Sequence, residues 1–157
     1  MLETDKADST SYLERASDAP LSHEIEFLAV KAFTQGTRIA NRYLQDLGLR
    51  ARSYSVLAMA CADLDPTQRD LAEFLSLDPS QIVSLVDELE RDGLVRRLVD
   101  PSDRRSKVVH ATEVGRARFA EAQLRTRSAE NEALSGLSTE DRETLRSLLR
   151  RLVFAAD

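Results

Sequence analysis

The sequence predicts a mostly helical fold in which two short helices are followed at once by a β-hairpin, with long helices on either side. Three observations lead to this prediction. Apolar residues recur at steps of three and four over 22–47 and again after 112, which is typical of amphipathic helices. Residues 67–93 hold two shorter helical patterns separated by a tight turn. Residues 94–99 and 107–111 are rich in β-branched side chains and flank a turn-forming loop.

The composition is that of a compact water-soluble protein. The chain has 157 residues, of which 42% are hydrophobic and 31% charged. No apolar run approaches the roughly 18 residues that a membrane span needs. The N-terminus is acidic and polar, unlike a secretory signal, and the single Cys61 has no partner for an internal disulfide. We therefore expect a cytoplasmic protein with no membrane partner.

The negative charge of the chain is concentrated at its start. The formal net charge is −5, and residues 1–26 carry seven acids against two bases, so the rest of the chain is balanced. Residues 91–107 carry six bases and three acids and are locally positive. Because local fields govern contact with phosphates, the overall acidity does not exclude a nucleic-acid partner. It does predict weak non-specific binding that fades with salt.

The first 50 residues divide into a tail and a long helix. We expect 1–21 to form an acidic mobile tail with no more than a short helical turn at 12–16. The segment 22–50 then holds one long helix, the dimerisation helix of the prediction, that begins at Ser22 and that Gly48 ends. The rest of a small chain cannot cover so long an apolar face, so we expect part of it to meet another chain.

The next segment, 51–111, carries the short helices and the hairpin. A small-residue helix over 52–62 is followed by a helix that Thr67 begins, with Asp70 in the capping-box position. Asp78 then caps a further helix with Pro79 at its first position. The side chains expected to be buried on this last helix are Ile82, Leu85, Val86 and Leu89. Two helices joined by so short a turn predict a helix-turn-helix.

Gly93 ends that helix, and the hairpin of 94–99 and 107–111 follows. Its tip concentrates the bases Arg104, Arg105 and Lys107 beside Asp103.

In the last segment, 112–157, Thr112 caps a helix to about 134 and Ser138 opens the final helix. That helix has an apolar seam formed by Leu145, Leu148, Leu149, Leu152 and Val153. The seam is too apolar for a free terminal helix. It meets either a second chain or the first long helix of its own chain.

This order of helices and strands is that of a winged helix-turn-helix, and residues 67–116 resemble the MarR family of bacterial transcriptional regulators. The resemblance lies in the Leu71-Ala72 pair, the LERDGLV sequence at 89–95, the DRR sequence at 103–105 and the TEVG sequence at 112–115. It implies a homodimer that binds a pseudo-palindromic operator in double-stranded DNA, most often a repressor relieved by a small ligand. The long first helix and the last two helices would be its dimerisation helices.

The resemblance assigns DNA contacts to the helix that begins at Pro79 and to the wing. Near the start of the helix, the expected contacts are Ser80, Gln81, Val83 and Ser84. Gln can pair with adenine, Ser can donate a hydrogen bond, and Val can contact a thymine methyl. The alternative for all four is an ordinary solvated position. Ser84 departs from the family, in which Arg is common here, so one contact is missing.

In the wing, the resemblance places Arg105 in a minor groove with Asp103 holding its guanidinium, and Arg104 and Lys107 beside them. Thr67 and Arg97 are candidates for phosphate contacts. Each has an ordinary alternative, as a helix cap and as a surface residue.

Family members often bind small aromatic or anionic ligands between the dimerisation helices and the DNA-binding lobe. The rings and cations that suit such a pocket here are His23, Phe27, Arg38, Tyr43, Arg52 and Tyr54.

Two other functional classes remain open, and a third is disfavoured. Loss of DNA binding would leave a winged-helix protein-interaction module, which the acidity and Ser84 favour. An oxidant sensor would use Cys61, but that residue lies among alanines with no nearby base to activate it. An enzyme is disfavoured, because His23 and His110 lie in different elements and no Gly-rich phosphate loop is present. We expect no cofactor and no metal.

Overall fold

The computed structural model describes residues 12–100 and 103–155, and these form helices around a two-stranded sheet. The helices are α1 (Tyr12–Ala16), α2 (Ile25–Leu44), α3 (Ala51–Ala60), α4 (Gln68–Leu75), α5 (Pro79–Arg91), α6 (Glu113–Ala133) and α7 (Thr139–Val153). The strands β1 (Val95–Val99) and β2 (Lys107–Ala111) pair antiparallel, with Val95 opposite Ala111 and Val99 opposite Lys107. The predicted winged helix-turn-helix with a two-stranded wing is confirmed.

The main difference from the prediction lies before α2. Residues 1–11 of the expected tail lie outside the described residues, and α1 is the short helical turn expected at 12–16, but a 3₁₀ turn at Pro20–His23 follows where the long helix was expected to begin. Pro20 starts this turn, and Glu24 then adopts an extended conformation, so α2 begins at Ile25 rather than at residue 22. At the other end, a 3₁₀ turn at Gln45–Leu47 closes the helix, and Gly48 has a left-handed φ of 68°, as its capping role requires.

The core lies inside the lobe of residues 51–111 and is closed by the end of α2 and the first half of α6. The fully buried large side chains are Leu44, Leu49, Val56, Leu57, Leu71, Ile82, Val86, Leu89, Val95 and Val109. Three of the four residues predicted to be buried on α5 are among them, and Leu85 is half-buried. Burial of this stripe fixes α5 against the lobe and leaves its opposite face exposed to solvent.

Capping hydrogen bonds fix where the two helices of the helix-turn-helix begin. The hydroxyl of Thr67 accepts the Asp70 N–H at 3.2 Å, and the Thr67 N–H donates to the Asp70 carboxylate at 2.8 Å. The Asp78 carboxylate accepts the N–H of Ser80 at 2.8 Å and starts α5. Between the two helices, Ser76 takes a left-handed φ of 52°, which turns the chain. Both predicted caps are therefore confirmed.

A close approach joins the wing to α6. The Thr112 hydroxyl donates to the Gly93 carbonyl at 2.6 Å and accepts the N–H of Gly115 at 2.9 Å. A Cβ added at Gly115 would lie 1.9 Å from the carbonyl oxygen of Leu94. Glycine is required here because the helix backbone passes directly over the chain that enters β1.

Two apolar surfaces remain uncovered. No residue of α7 is buried, and its exposed large side chains include the five of the predicted seam, with Leu152 at 76% exposure. The first half of α2 exposes Ile25, Leu28, Val30 and Phe33. The alternative that the seam packs on the first helix of its own chain is therefore wrong. The contacts of α7 with its own chain include the stacking of Phe154 on Phe74 of α4, at 6.3 Å between ring centroids.

Candidate DNA-binding interface

The start of α5 exposes all four side chains predicted to read bases, namely Ser80, Gln81, Val83 and Ser84. Two of them are already engaged, since the Ser80 hydroxyl donates to Asp78 and the Ser84 hydroxyl donates to the Ser80 carbonyl at 3.1 Å. Gln81 makes no side-chain hydrogen bond within the described residues, so its amide keeps its donors and acceptor. Val83 is 41% exposed on the polar side of the helix, where an apolar side chain has no core to join.

Arg52 of α3 lies beside these residues. A shallow recess of about 320 Å³ is lined by Arg52, Ser80, Gln81, Ser84 and Leu85. The sequence predicts Arg52 only as a ligand-pocket residue, because the contact between α3 and α5 is not visible in sequence spacing. Its proximity puts a cation next to Ser84, the position at which the resemblance leads us to expect Arg.

The tip of the wing differs from the prediction in one contact. The resemblance predicts that Asp103 holds the guanidinium of Arg105, but its carboxylate accepts the backbone N–H of Arg105 at 3.0 Å. The Asp103 carbonyl also accepts the N–H of Ser106 at 2.9 Å. A short acidic side chain readily caps the N–H two residues on in a tight turn, and this competes with reaching the guanidinium. Asp103 therefore shapes the loop, while Arg104, Arg105 and Lys107 are exposed.

Arg97 joins the wing to both helices of the helix-turn-helix. Its guanidinium donates to Glu90 at 2.5 Å, to Asp87 at 2.6 Å and to Gln68 at 2.7 Å. The backbone N–H of Arg97, together with this guanidinium, holds the pKa of Glu90 below its usual range. Only 18% of the Arg97 side chain is exposed. These contacts favour the structural alternative for Arg97 over the phosphate contact expected from the sequence.

Thr67 likewise serves first as a helix cap, since its hydroxyl donates to Asp70 at 2.7 Å. It also borders a recess between α4 and the wing, together with Gln68, Arg69, Arg97, Arg105, Ser106 and Lys107. The sequence does not single out Arg69, because nothing in its spacing indicates that it faces the wing.

A larger cavity of about 870 Å³ lies where α2, α3 and α5 meet. Its lining contains the cations Arg42, Arg50 and Arg52 and the amides Asn41 and Gln45. Of the six predicted pocket residues, only Arg52 lines this cavity or any of three further cavities of the described residues.

The other five predicted pocket residues line none of these four cavities. The Tyr43 hydroxyl donates to Glu132 of α6 at 2.8 Å, and Tyr54 stacks on Phe119 with 5.7 Å between ring centroids. Phe27 is half-buried, and His23 and Arg38 are exposed. The chemistry of these side chains suits a ligand. However, Arg38 and Tyr43 are five positions apart on one helix, which rotates their side chains by roughly 140° about the helix axis, so the two face different directions.

Cys61 is half-buried at the end of α3, and burial raises the pKa of its thiol, an effect that Arg116 opposes in part. Within residues 12–100 and 103–155, no cluster of three or more His, Cys, Asp or Glu is placed to hold a metal. In the same residues, no helix combines the length and apolarity that crossing a membrane requires.

Comparison with known proteins finds relatives that are transcriptional regulators. Residues 49–107 match the model of the MarR family. The crystal structure of a MarR-family transcriptional regulator from Rhodococcus sp. RHA1 is 40% identical, covers 88% of this chain and 98% of its own, and has a TM-score of 0.83. CouR from Rhodococcus jostii RHA1, crystallised with p-coumaroyl-CoA, is 41% identical with the same coverage and a TM-score of 0.78. An HTH-type transcriptional regulator of Bacillus subtilis (strain 168), YybA, is 27% identical over 73% of this chain and 76% of its own.

Proposed function

The chain belongs to the MarR family of transcriptional regulators, and we propose that it is a homodimer that binds operator DNA and represses transcription until a small ligand binds. The observation that carries the proposal is the exposed start of α5 beside a basic wing. Gln81 and Val83 project from a helix whose opposite face is fixed in the core. A helix held in this way can enter a major groove without first becoming ordered.

In this proposal, α5 contacts base edges in the major groove, and the wing recognises the shape of the adjacent minor groove. Gln81 pairs with an adenine edge and Val83 contacts a thymine methyl, while Ser80 and Ser84 give weaker polar contacts. Arg104 and Arg105 reach into the adjacent minor groove, where A·T-rich sequence is narrow and electronegative. Arg97 is left out of the DNA contacts, because its donors are committed to Asp87, Glu90 and Gln68.

The partner that covers the exposed apolar surfaces is a second copy of the chain. The seam of Leu145, Leu148, Leu149, Leu152 and Val153 and the first half of α2 are each exposed in one protomer. Contiguous apolar patches of this kind mark association surfaces. A two-fold dimer would place two copies of α5 about 34 Å apart, one turn of DNA, on a pseudo-palindromic operator in double-stranded DNA. A regulator that works on chromosomal DNA would act in the bacterial cytoplasm.

The ligand site in this proposal is the 870 Å³ cavity, which has the volume of a small-molecule pocket. Arg50 and Arg52 suit an anionic group, Leu49 and Leu85 supply apolar contact, and the third cation of the lining, Arg42, is paired with Glu132. Binding between α2 and α5 would favour a dimer in which the two copies of α5 no longer fit successive major grooves. The relative CouR, crystallised with an aromatic acyl-CoA, supports a ligand that is both aromatic and anionic.

The test is selection of duplexes from random and genomic pools by the wild-type protein, followed by titration of Gln81→Ala with the selected site and its single-base variants. We expect a site with two-fold symmetry. Gln81→Ala should lose about 1 to 3 kcal/mol of discrimination at one base pair in each half-site. The matched control, Gln123→Ala on α6, should bind as the wild type does. Selection of no duplex would refute DNA binding and favour the protein-interaction module.

A further inference from the structure

We propose that the recess between the start of α4 and the wing is a seat for one DNA backbone phosphate, bound by Arg69, Ser106 and Lys107. The inference rests on the DNA binding proposed above. It adds a defined anion site that lies outside the start of α5 and the tip of the wing. The recess has a volume of about 490 Å³. One wall comes from Thr67, Gln68 and Arg69, and the other comes from Arg97, Arg105, Ser106 and Lys107.

The charges of the recess favour an anion. Arg97 is committed to its three acceptors. Arg69 and Lys107 are exposed, and neither forms an ion pair within the described part of the chain. The neighbouring carboxylate of Asp70 is engaged in the cap, where the Thr67 hydroxyl and N–H hold its pKa below the usual value. A second carboxylate, Asp100, is close enough to Asp70 to raise its pKa, and the Asp100 backbone N–H donates to the Ser106 carbonyl at 3.0 Å. Arg69 and Lys107 are cations of the recess that are exposed and without an ion pair among the described residues.

The two walls are fixed relative to each other. The N–H of Val109 in β2 donates to the Pro66 carbonyl at 2.8 Å, just before α4. Thr67 forms a β-bridge with Val108, and the Nε of Arg97 donates to Gln68 at 2.7 Å. The backbone positions that carry Arg69 and Lys107 are thus set before DNA arrives, so less ordering is needed on binding.

The side chains present match a phosphate diester. A guanidinium can donate two hydrogen bonds to phosphate oxygens, an ammonium adds a point charge, and a hydroxyl donates one further bond. An exposed site of this kind binds a lone anion weakly in water, because both partners are well solvated. DNA overcomes this weakness, since it presents the phosphate as part of a polyanion and releases counterions. We therefore assign the seat to DNA rather than to free phosphate.

The seat also has a consequence for the wing. Lys107 lies two residues from Arg105, and the loop between them is shaped by the Asp103 contacts. A phosphate held between α4 and β2 would fix how far the wing tip enters the adjacent groove. Contacts to phosphate position a protein on the duplex, whereas contacts to bases specify the sequence.

The experiment compares the wild type with Arg69→Gln and Lys107→Gln on the duplex that the wild type selects, over 50 to 200 mM salt by fluorescence anisotropy. Arg127→Gln on α6 is the matched control, because it removes the same charge from an exposed position outside the lobe. Removal of one cation from a phosphate should reduce the slope of log K against log salt by about 0.9, and nearly twice that for a dimer on two half-sites. Arg127→Gln should keep the wild-type slope, and all base preferences should stay unchanged.

Ethylation interference on the same duplex identifies the phosphate. Ethylation of one phosphate in each half-site should weaken binding of the wild type but not of Arg69→Gln. An unchanged slope and interference pattern for Arg69→Gln would overturn the seat while DNA binding stands. If the two variants bind DNA normally but lose an NMR shift that inorganic phosphate causes in the wild type, the seat holds free anions and the DNA assignment is wrong. A wild type that binds no duplex would refute both proposals.

Discussion

Arg97 and Glu90 are joined twice: the backbone N–H of Arg97 donates to Oε1 of Glu90 at 2.9 Å, and its guanidinium donates to Oε2 at 2.5 Å. Glu90 belongs to the last turn of α5, and Arg97 lies in the middle of β1. One carboxylate thus fixes the angle between α5 and the wing. The same guanidinium reaches Gln68, so the first helix of the pair is held as well.

Replacement of Arg97 by Lys should weaken the contacts that hold β1 against α4 and α5. A single ammonium cannot reproduce the three directed contacts to Asp87, Glu90 and Gln68, so we expect a loss of about 1 to 3 kcal/mol in the free energy of unfolding. Urea unfolding measures this loss. Arg96→Lys is the control, because Arg96 is exposed on the other side of the strand and has no ion pair within the described residues. Equal stabilities for the two variants would mean that the network contributes nothing.

Gly115→Ala should be among the most damaging single substitutions in the chain. The new Cβ would meet backbone atoms of Leu94, which cannot move without displacing the start of β1. We expect a loss of more than about 2 kcal/mol, of the size that overpacking costs. Gly136→Ala should be close to neutral, since no atom lies within 4 Å of a Cβ there. Thermal unfolding measures the stability of both variants. If Gly115→Ala is as stable as the wild type, the wing and α6 do not approach as described.

The proposed dimer depends on the seam of α7. Leu148 and Leu152 are 53% and 76% exposed in one protomer. Replacement of both by glutamate should convert the dimer into a monomer that stays folded. Light scattering on the double variant Leu148→Glu, Leu152→Glu measures the mass, and circular dichroism checks the fold. Leu64→Glu, in the loop before α4, is an equally exposed control and should remain dimeric. A double variant that is still dimeric would place the interface elsewhere.

Cys61 should be a poor redox sensor. Burial raises the pKa of its thiol, so at neutral pH less of it is the reactive thiolate than for an exposed cysteine. We expect alkylation by iodoacetamide at pH 7.5 to be slow in the folded protein and to accelerate once urea unfolds it. Peroxide should leave the DNA affinity of wild type and of Cys61→Ser equally unchanged. A peroxide response that disappears in Cys61→Ser would restore the sensor hypothesis.

Much of the fold was predictable because its signals are local. The capping residues Thr67 and Asp78, the glycines at helix ends and the β-branched runs each act within a few residues, and the order of the elements then indicates a wing. The apolar pattern places the start of the helix after Pro20 three residues too early, since a four-residue 3₁₀ turn is too short for its period to be told from that of an α-helix.

The site was predictable only in part, because its geometry depends on packing between elements. The exposure of Gln81 and Val83 follows from the helical period. In contrast, the partners of Arg97 lie on α4 and α5, and no spacing in the sequence brings Gln68 next to Asp87. The predicted ligand-pocket residues are rings and cations, and the type of a side chain alone does not say which face of α2 or α3 it occupies.

The central claim is that the chain binds DNA as a dimer through α5 and the wing. The most direct measurement is titration of the wild type and of Arg105→Ala with the selected pseudo-palindromic duplex and with a duplex that carries one half-site, at several salt concentrations. We predict one dimer per pseudo-palindrome, much weaker binding to the half-site, affinity that falls steeply with salt, and a weaker complex for Arg105→Ala. Wild-type protein that shows no saturable, salt-dependent binding to either duplex would contradict the claim.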